Sequence, residues 1–350
     1  MIPASFALTS YDFKLDPEKI AQKPPLNRID SKLLNAVGSP IQDLFFRDLP
    51  SLTQSLFPRG ALFITNNTEV LRARLFGQKP TGGKVEALLF ESSEEGLWRG
   101  FFKPGRRLRS GSKIYFDQNH YGLIEEKYDN GTMSMRWYGK SSVVDFMRMH
   151  GVLPLPPYIH NYDGDLRRYQ TVYAKVPGAS AAPTAGLHFN EQIIKSLKAA
   201  GSDFAELTLH VGPGTFKPIE KDDIREYEIH GEWIDVASDC IAKIKEARRS
   251  GRPIICVGTT ALRSLETVEG LNGLEEPWQG VTDIYIYPGY QIKSCDYLLT
   301  NFHLPYSSLL VLVAAFTGFN LYKQIYDHAL RYDYRFFSFG DCMLLKNNSG

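Results

Sequence analysis

Four of the eight histidines, His188, His210, His230 and His303, stand where a strand-like or helix-like run gives way to a loop. Imidazole titrates near neutral pH, so a histidine at such a junction suits acid or base work, and suits a hydrogen-bonded structural role as well. Glu232 and Glu266 are candidate proton donors where burial raises a carboxyl pKa. His230 and Glu232 share a face only on a strand, and no third ligand stands near them in the sequence, so no metal is expected. The cysteines Cys240, Cys256, Cys295 and Cys342 show no C-x-x-C spacing. They indicate neither a zinc site nor a disulfide framework and fit a reducing cytoplasm.

Five strand-like runs end in loops built from Gly, Asn and Pro. ALFIT enters Asn66-Asn67-Thr68, ELTLHV enters Gly212-Pro213-Gly214-Thr215, and PIICV enters Gly258-Thr259-Thr260. DIYIY enters Pro288-Gly289, and DYLLT enters Asn301-Phe302-His303-Leu304-Pro305. Ordinary turn chemistry accounts for any one of them. Five on one sheet read as a binding rim beyond the C-terminal ends of strands. The Gly258-Thr259-Thr260 loop opens a helix, whose free N–H groups favour an anion, and Arg263 one turn on adds a bidentate grip for a carboxylate. Gly212 and Gly214 lack the third glycine of a dinucleotide fingerprint. No phosphate-binding G-x-x-x-x-G-K-[ST] loop and no G-x-S-x-G elbow occurs.

The elements that must position these residues are legible in part. Residues 190–200 read as a helix with Asn190 as N-cap and Gly201 as the stop. Residues 237–249 place Ile241, Ile244 and Ala247 at helical spacing before Gly251. Thr259 or Thr260 is expected to cap a helix over 261–268. This alternation of strands and helices predicts an α/β domain with a mixed sheet, made of residues 1–69 and 143–350.

Residues 70–142 differ in texture and charge. They hold 13 Lys/Arg and 8 Asp/Glu, a local net of +5 in a chain whose net is +1. Short strand-like runs, the Gly82-Gly83 pair and an Asn130-Gly131 hairpin signal predict an inserted antiparallel β-barrel. Its basic run, Arg99, Lys103, Arg106, Arg107, Arg109 and Lys113, lies among Phe101, Phe102 and Tyr115 and suits phosphates and unstacked bases. Arg167-Arg168-Tyr169 is a second such patch. The chain of 350 residues and 39.6 kDa has 43% hydrophobic and 23% charged residues, the composition of a globular protein. Its longest apolar run, Leu309 to Phe316, is far shorter than the ~20 residues that cross a bilayer. No Lys or Arg precedes Lys14, so the charged start of a signal peptide is absent.

A set of longer blocks is more specific: GVLPLPPYI at 151–159, YQTVYAKVPGASAAPTAGLHF at 169–189, LTLHVGPGTFKP at 207–218, VGTTALRSLE at 257–266, DIYIYPGY at 283–290 and TNFHLP at 300–305. With YDFKL at 11–15 and RFFSFGDCMLL at 335–345, they make the chain resemble, nearly end to end, the S-adenosylmethionine:tRNA ribosyltransferase-isomerase family of queuosine biosynthesis. Lys32 stands where the family commonly has arginine, and Tyr227 where histidine is frequent.

The resemblance implies transfer and isomerisation of the ribosyl group of S-adenosylmethionine onto 7-aminomethyl-7-deazaguanine at the wobble position of tRNA. The products are epoxyqueuosine in tRNA, adenine and methionine. It also implies an α/β domain carrying an inserted barrel, a monomer and no metal. On that chemistry a base opens the sugar at C5′, with His188 and His210 as first candidates and His303 and His230 behind them. Glu232 or Glu266 serves as an acid for departing adenine. Arg263 with Thr259-Thr260 suits the methionine carboxylate, and Asn66, Asn67 and Asn301 suit base or ribose edges. Thr68, Gly212, Gly214 and Glu266 complete the expected substrate-binding rim. Lys103, Arg106, Arg107, Arg109, Arg167 and Arg168 are the expected tRNA contacts. Two other classes fit the same features: an S-adenosylmethionine-dependent tRNA methyltransferase and a non-catalytic tRNA-binding protein.

Overall fold

The computed structural model describes residues 2–129, 131–160 and 162–349, so the expected turn residue Asn130 lies outside the described residues. The chain forms two compact units, one of residues 1–68, 157–175 and 182–350, the other of residues 69–156 and 176–181. The second unit therefore runs past residue 142, through the helix Val143–His150.

Among the described residues of the first unit, nine strands form one mixed sheet. Their order is Trp278–Thr282, Glu232–Val236, Asp203–Leu209, Leu62–Asn66, Ile254–Val257, Tyr297–Asn301, Cys342–Lys346, Lys32–Ala36 and Gln42–Phe45. The four consecutive strands from Asp203–Leu209 to Tyr297–Asn301 are parallel to one another. Ile254–Val257 and Leu62–Asn66 are buried throughout, as central strands covered on both faces must be. Helices Leu49–Leu56 and Glu191–Ala199 cover one face, where Leu49, Ile193 and Leu197 pack on Phe63, Ile255 and Leu299. Helices Ser238–Ser250 and Thr259–Asn272 pack on the central strands through Ile241, Ile244, Leu262 and Leu265. No single helix among the described residues is long and apolar enough to cross a membrane.

Because the central strands share a direction, Asn66, Leu209, Val257 and Asn301 all lie at one edge of the sheet. Strands running the other way start there, which adds Glu232, Cys342 and, just before Lys32, Ser31.

The expected caps at Asn190 and Gly251 are present. Asn190 Oδ1 accepts from the Ile193 N–H at 2.8 Å, and Gly251 closes its helix at φ 64°. Two expectations are corrected. Residues 283–287 are not a strand; the strand is Trp278–Thr282, and its ladder ends where Thr282 meets Glu232, the first residue of its partner. Neither Thr259 nor Thr260 is the cap; both lie inside a helix that runs on to Asn272, and Gly258 caps it at φ 91°, ψ 156°.

In the second unit six antiparallel strands close a barrel in the order Met133–Tyr138, Leu97–Lys103, Lys84–Glu94, Arg74–Gln78, Lys113–Tyr115 and Tyr121–Lys127. Burial alternates along Leu97–Lys103 and Tyr121–Lys127, the period of a sheet with one face inward. Leu75, Val85, Leu89, Phe102, Ile114 and Met135 fill the interior, and Val143, Phe146 and Met147 of the following helix join that core.

Gly258 occupies backbone space that is essentially closed to residues with a Cβ. Gly258→Ala is expected to cost about 1–3 kcal/mol. Urea unfolding of the variant checks this, and an unchanged midpoint would mean that the helix start is not under this constraint.

Candidate active site

A pocket opens at the rim of the large sheet. Its walls come from Ala182–Ala185, from Gly258, Thr259 and Thr260 at the helix start, from Thr300–His303 after the strand Tyr297–Asn301, and from Phe337 and Ser338. Val211, Thr215 and Leu309 complete it. Its polar groups are the hydroxyls of Thr184, Thr215, Thr259, Thr260, Thr300 and Ser338, the Asn301 amide and the His303 imidazole, with no charged side chain among the lining residues. The volume is ≈50 Å³, against about 300–1,000 Å³ for a typical small-molecule site. In this form it takes one part of a ligand rather than a whole nucleoside.

Thr259, Thr260, Asn301 and His303 are thus brought together at one pocket. His303 is buried, its Nε2 lies 3.2 Å from Thr300 Oγ1, and its backbone N–H donates to Tyr326 Oη at 3.0 Å. Burial pushes its imidazole down to about 3, so at neutral pH it is an uncharged ring.

His188 is buried behind this wall rather than in it. Its Nδ1 lies 2.9 Å from Ser31 Oγ and its Nε2 lies 3.1 Å from Asn301 Nδ2. Burial, then the charges of Arg335 and Arg28, lower its pKa to about 3. Asn301 Nδ2 also donates to the Phe337 carbonyl at 3.1 Å, while Asn301 Oδ1 and Thr260 Oγ1 are buried without a partner. Phe337 holds φ 76°, an uncommon conformation for a residue with a side chain.

Beside the pocket lies a buried ion pair. Arg263 Nη1 donates to Glu232 Oε2 in a very short contact, and Arg263 Nε donates to the Ile284 carbonyl at 3.2 Å. Glu232 Oε1 accepts from the Gly212 N–H at 2.9 Å and from the Thr215 hydroxyl at 3.1 Å. Arg263, expected as a carboxylate grip, and Glu232, expected as an acid, are thus paired with each other, while Arg263 Nη2 is buried with no hydrogen-bond partner. Breaking one half of such a pair strands a buried charge, at a cost of about 3–5 kcal/mol. The pair fastens the start of Glu232–Val236 and the Gly212–Thr215 loop to the helix Thr259–Asn272. A Cβ at Gly214 would sit 2.3 Å from Cδ2 of the exposed His230 ring, which would have to shift.

Other expected residues are also engaged away from the pocket. Glu266 accepts from the N–H groups of Lys293 and Ser294 at 2.8 and 2.7 Å and from Tyr290 Oη at 3.0 Å, so it shapes that loop. Asn66 is fully buried; its amide donates to the Leu209 carbonyl and accepts from the Leu209 and Thr68 N–H groups, tying two strand ends together. Asn67 accepts from the Thr208 hydroxyl at 2.7 Å. His210 stacks on Trp233 at 5.1 Å and meets Thr68 Oγ1 at 2.8 Å, and burial lowers its pKa to about 4. His230 is exposed. Ser31, Thr215, Thr300 and Ser338 were not singled out by sequence reasoning. Thr215, Thr300 and Ser338 fall inside quoted blocks, whereas nothing about Ser31 marks it before its strand is placed.

With this geometry in view, comparison with known proteins is decisive. Residues 8–345 match the family model described as queuosine biosynthesis protein. The chain belongs to the queuosine biosynthesis protein family. A relative from Natranaerobius thermophilus, named S-adenosylmethionine:tRNA ribosyltransferase-isomerase, is 44% identical over 97% of this chain and 99% of its own length. One from Thermotoga maritima with the same name is 41% identical over 97% and 99%. The crystal structure of S-adenosylmethionine tRNA ribosyltransferase from Thermotoga maritima matches with a TM-score of 0.55 at 32% identity, covering 95% of this chain and 99% of that one.

The basic residues of this family member divide into two sets. Lys103, Arg106, Arg107 and Arg109 of the barrel unit are exposed. Arg136, by contrast, is held by Glu94 and Glu125 at 2.5 Å each, and Arg99 lies over the Tyr128 ring at 4.4 Å. In the α/β unit, Arg167 pairs with Asp165 at 3.0 Å. The Arg168 guanidinium donates to the Leu26 and Pro25 carbonyls at 2.9 and 2.8 Å.

The buried histidines make stability pH-dependent. His188 and His303 titrate near 3 when folded and near the ordinary 6.5 when unfolded. Between those values the unfolded chain binds more protons, so stability falls as pH drops below about 6.5, by up to about 1.4 kcal/mol per pH unit for each ring. Urea unfolding at about pH 7.5 and about pH 5 should show the loss, and His303→Gln should flatten it. Equal stability at both pH values would show that these rings are not held neutral.

Proposed function

We propose that the protein transfers and isomerises the ribosyl group of S-adenosylmethionine onto 7-aminomethyl-7-deazaguanine at the wobble position of tRNA, giving epoxyqueuosine-tRNA, adenine and methionine. The observation that carries this is the end-to-end match to relatives bearing the ribosyltransferase-isomerase name, together with an uncharged, hydroxyl-lined pocket at the strand ends. S-adenosylmethionine is a substrate, and the reading calls on no metal.

The sulfonium acidifies the C5′ protons of the ribose. Of the four histidines considered, His303 is the one that lines the pocket, and it is uncharged at neutral pH. We assign it the proton transfer from C5′; the proton is then available to departing adenine. The ring gains most of its effect from position, since its pKa makes it a weak base in solution terms. The exposed cations of the barrel unit are read as tRNA phosphate contacts. The working form is read as a cytoplasmic monomer.

Incubation with S-adenosylmethionine and tRNA bearing the precursor base, followed by nucleoside analysis, is expected to yield epoxyqueuosine and free adenine. S-adenosylhomocysteine among the products would point to a methyltransferase, and tRNA retention without adenine release to a binding protein. His303→Ala should lower kcat by about 10²–10⁴-fold with little change in tRNA affinity. Reversal of Arg106, Arg107 and Arg109 to Glu should weaken tRNA binding and flatten its salt dependence. An unchanged salt slope would remove the barrel from the tRNA contact.

A further inference from the structure

The hydrogen bonds around Asn301 have only one consistent direction. The Phe337 carbonyl can only accept, so the amide nitrogen of Asn301 must face it. The second hydrogen of that nitrogen points at His188 Nε2, which must therefore be the unprotonated nitrogen of a neutral ring. The proton of His188 sits on Nδ1 and goes to Ser31 Oγ, whose own hydrogen goes to the Arg28 carbonyl at 3.3 Å. A backbone carbonyl at each end thus fixes the polarity of the whole chain. One consequence is that the basic lone pair of His188 is already occupied. Another is that Asn301 can turn only its oxygen toward the pocket.

That oxygen is buried and has no partner, and Thr260 Oγ1 across the pocket wall is in the same condition. A buried acceptor left unsatisfied is costly, so two at one pocket call for a ligand that brings hydrogen-bond donors. The lining residues carry no charge. They suit a neutral polyhydroxyl group and leave the ammonium and carboxylate of an amino acid without a partner.

We infer that the pocket is the ribose subsite, in which Asn301 Oδ1 and Thr260 Oγ1 receive the sugar hydroxyls, and that His188 is a positioning residue that locks the Asn301 amide rather than the base that opens the sugar. This rests on S-adenosylmethionine being the substrate and names which part of it enters the pocket.

The test is calorimetric binding of S-adenosylmethionine and of its 2′-deoxy and 3′-deoxy analogues. The wild-type protein should bind the parent about tenfold more tightly than at least one deoxy analogue. Thr260→Val removes an oxygen to which no protein group is hydrogen-bonded, so its thermal midpoint should not fall, while its preference for the parent shrinks. His188→Ala should lose the preference as well, because the amide is then free to turn. Should that variant fail to fold, Ser31→Ala releases the Nδ1 proton and should weaken the preference in a milder way. Equal binding of all three compounds by the wild type overturns the ribose subsite. A His188→Ala protein that keeps both affinity and preference, and loses only kcat, overturns the lock and restores His188 as the base. Failure of the wild type to bind any of the three removes the proposed substrate and this inference with it.

Discussion

Four neighbouring strands that run the same way must end at the same edge of their sheet. That constraint, set by the parallel pairing of Asp203–Leu209, Leu62–Asn66, Ile254–Val257 and Tyr297–Asn301, decides where chemistry can happen. Each strand hands its following loop to one rim, and backbone groups there lose their ladder partners. Asn66 supplies such partners for the Leu209 backbone, and Gly258 turns directly into a helix whose first residues, Thr259 and Thr260, face the pocket. The antiparallel neighbours bring Glu232 and Ser31 to the same place from strand beginnings rather than ends.

The rim separates charge from the pocket. Arg263 and Glu232 are almost wholly buried and neutralise each other, and the loop Gly212–Thr215 hangs from the same carboxylate. The pocket next to them is left with hydroxyls, one amide and one neutral imidazole. In such surroundings an added charge is expensive and a hydrogen bond is strong, which favours discrimination by hydroxyl position over attraction by net charge.

What could be read from the residues alone follows the range of the interactions involved. Asn190, Gly201 and Gly251 act on their own helices, so their roles are visible in a few neighbouring letters. The barrel also shows itself, since period-2 burial and a local charge excess are properties of one stretch. Residues 283–287 look like a strand by composition, yet a strand exists only where a partner does, and the partner strand begins at Glu232, opposite Thr282. Arg263 reads as a free cation until the fold places Glu232 against it from 31 residues away. The partners of both His188 ring nitrogens, Asn301 and Ser31, lie 113 and 157 residues away, so no neighbouring letter shows that the ring is engaged on both sides.

The strand order has a consequence for the order of folding. The barrel pairs strands that all lie between Arg74 and Tyr138, so its contacts are available early in synthesis. The large sheet is assembled across the length of the chain: Leu62–Asn66 waits for Asp203–Leu209, and Lys32–Ala36 waits for Cys342–Lys346. Pairings of such separation close large loops and form slowly. The strand Cys342–Lys346 is interior, with Tyr297–Asn301 on one side and Lys32–Ala36 on the other, so the sheet stays split until that strand has been made. A nascent chain halted just before Cys342 carries a complete barrel beside a sheet in two pieces, and its unpaired strand edges make it a client for chaperones.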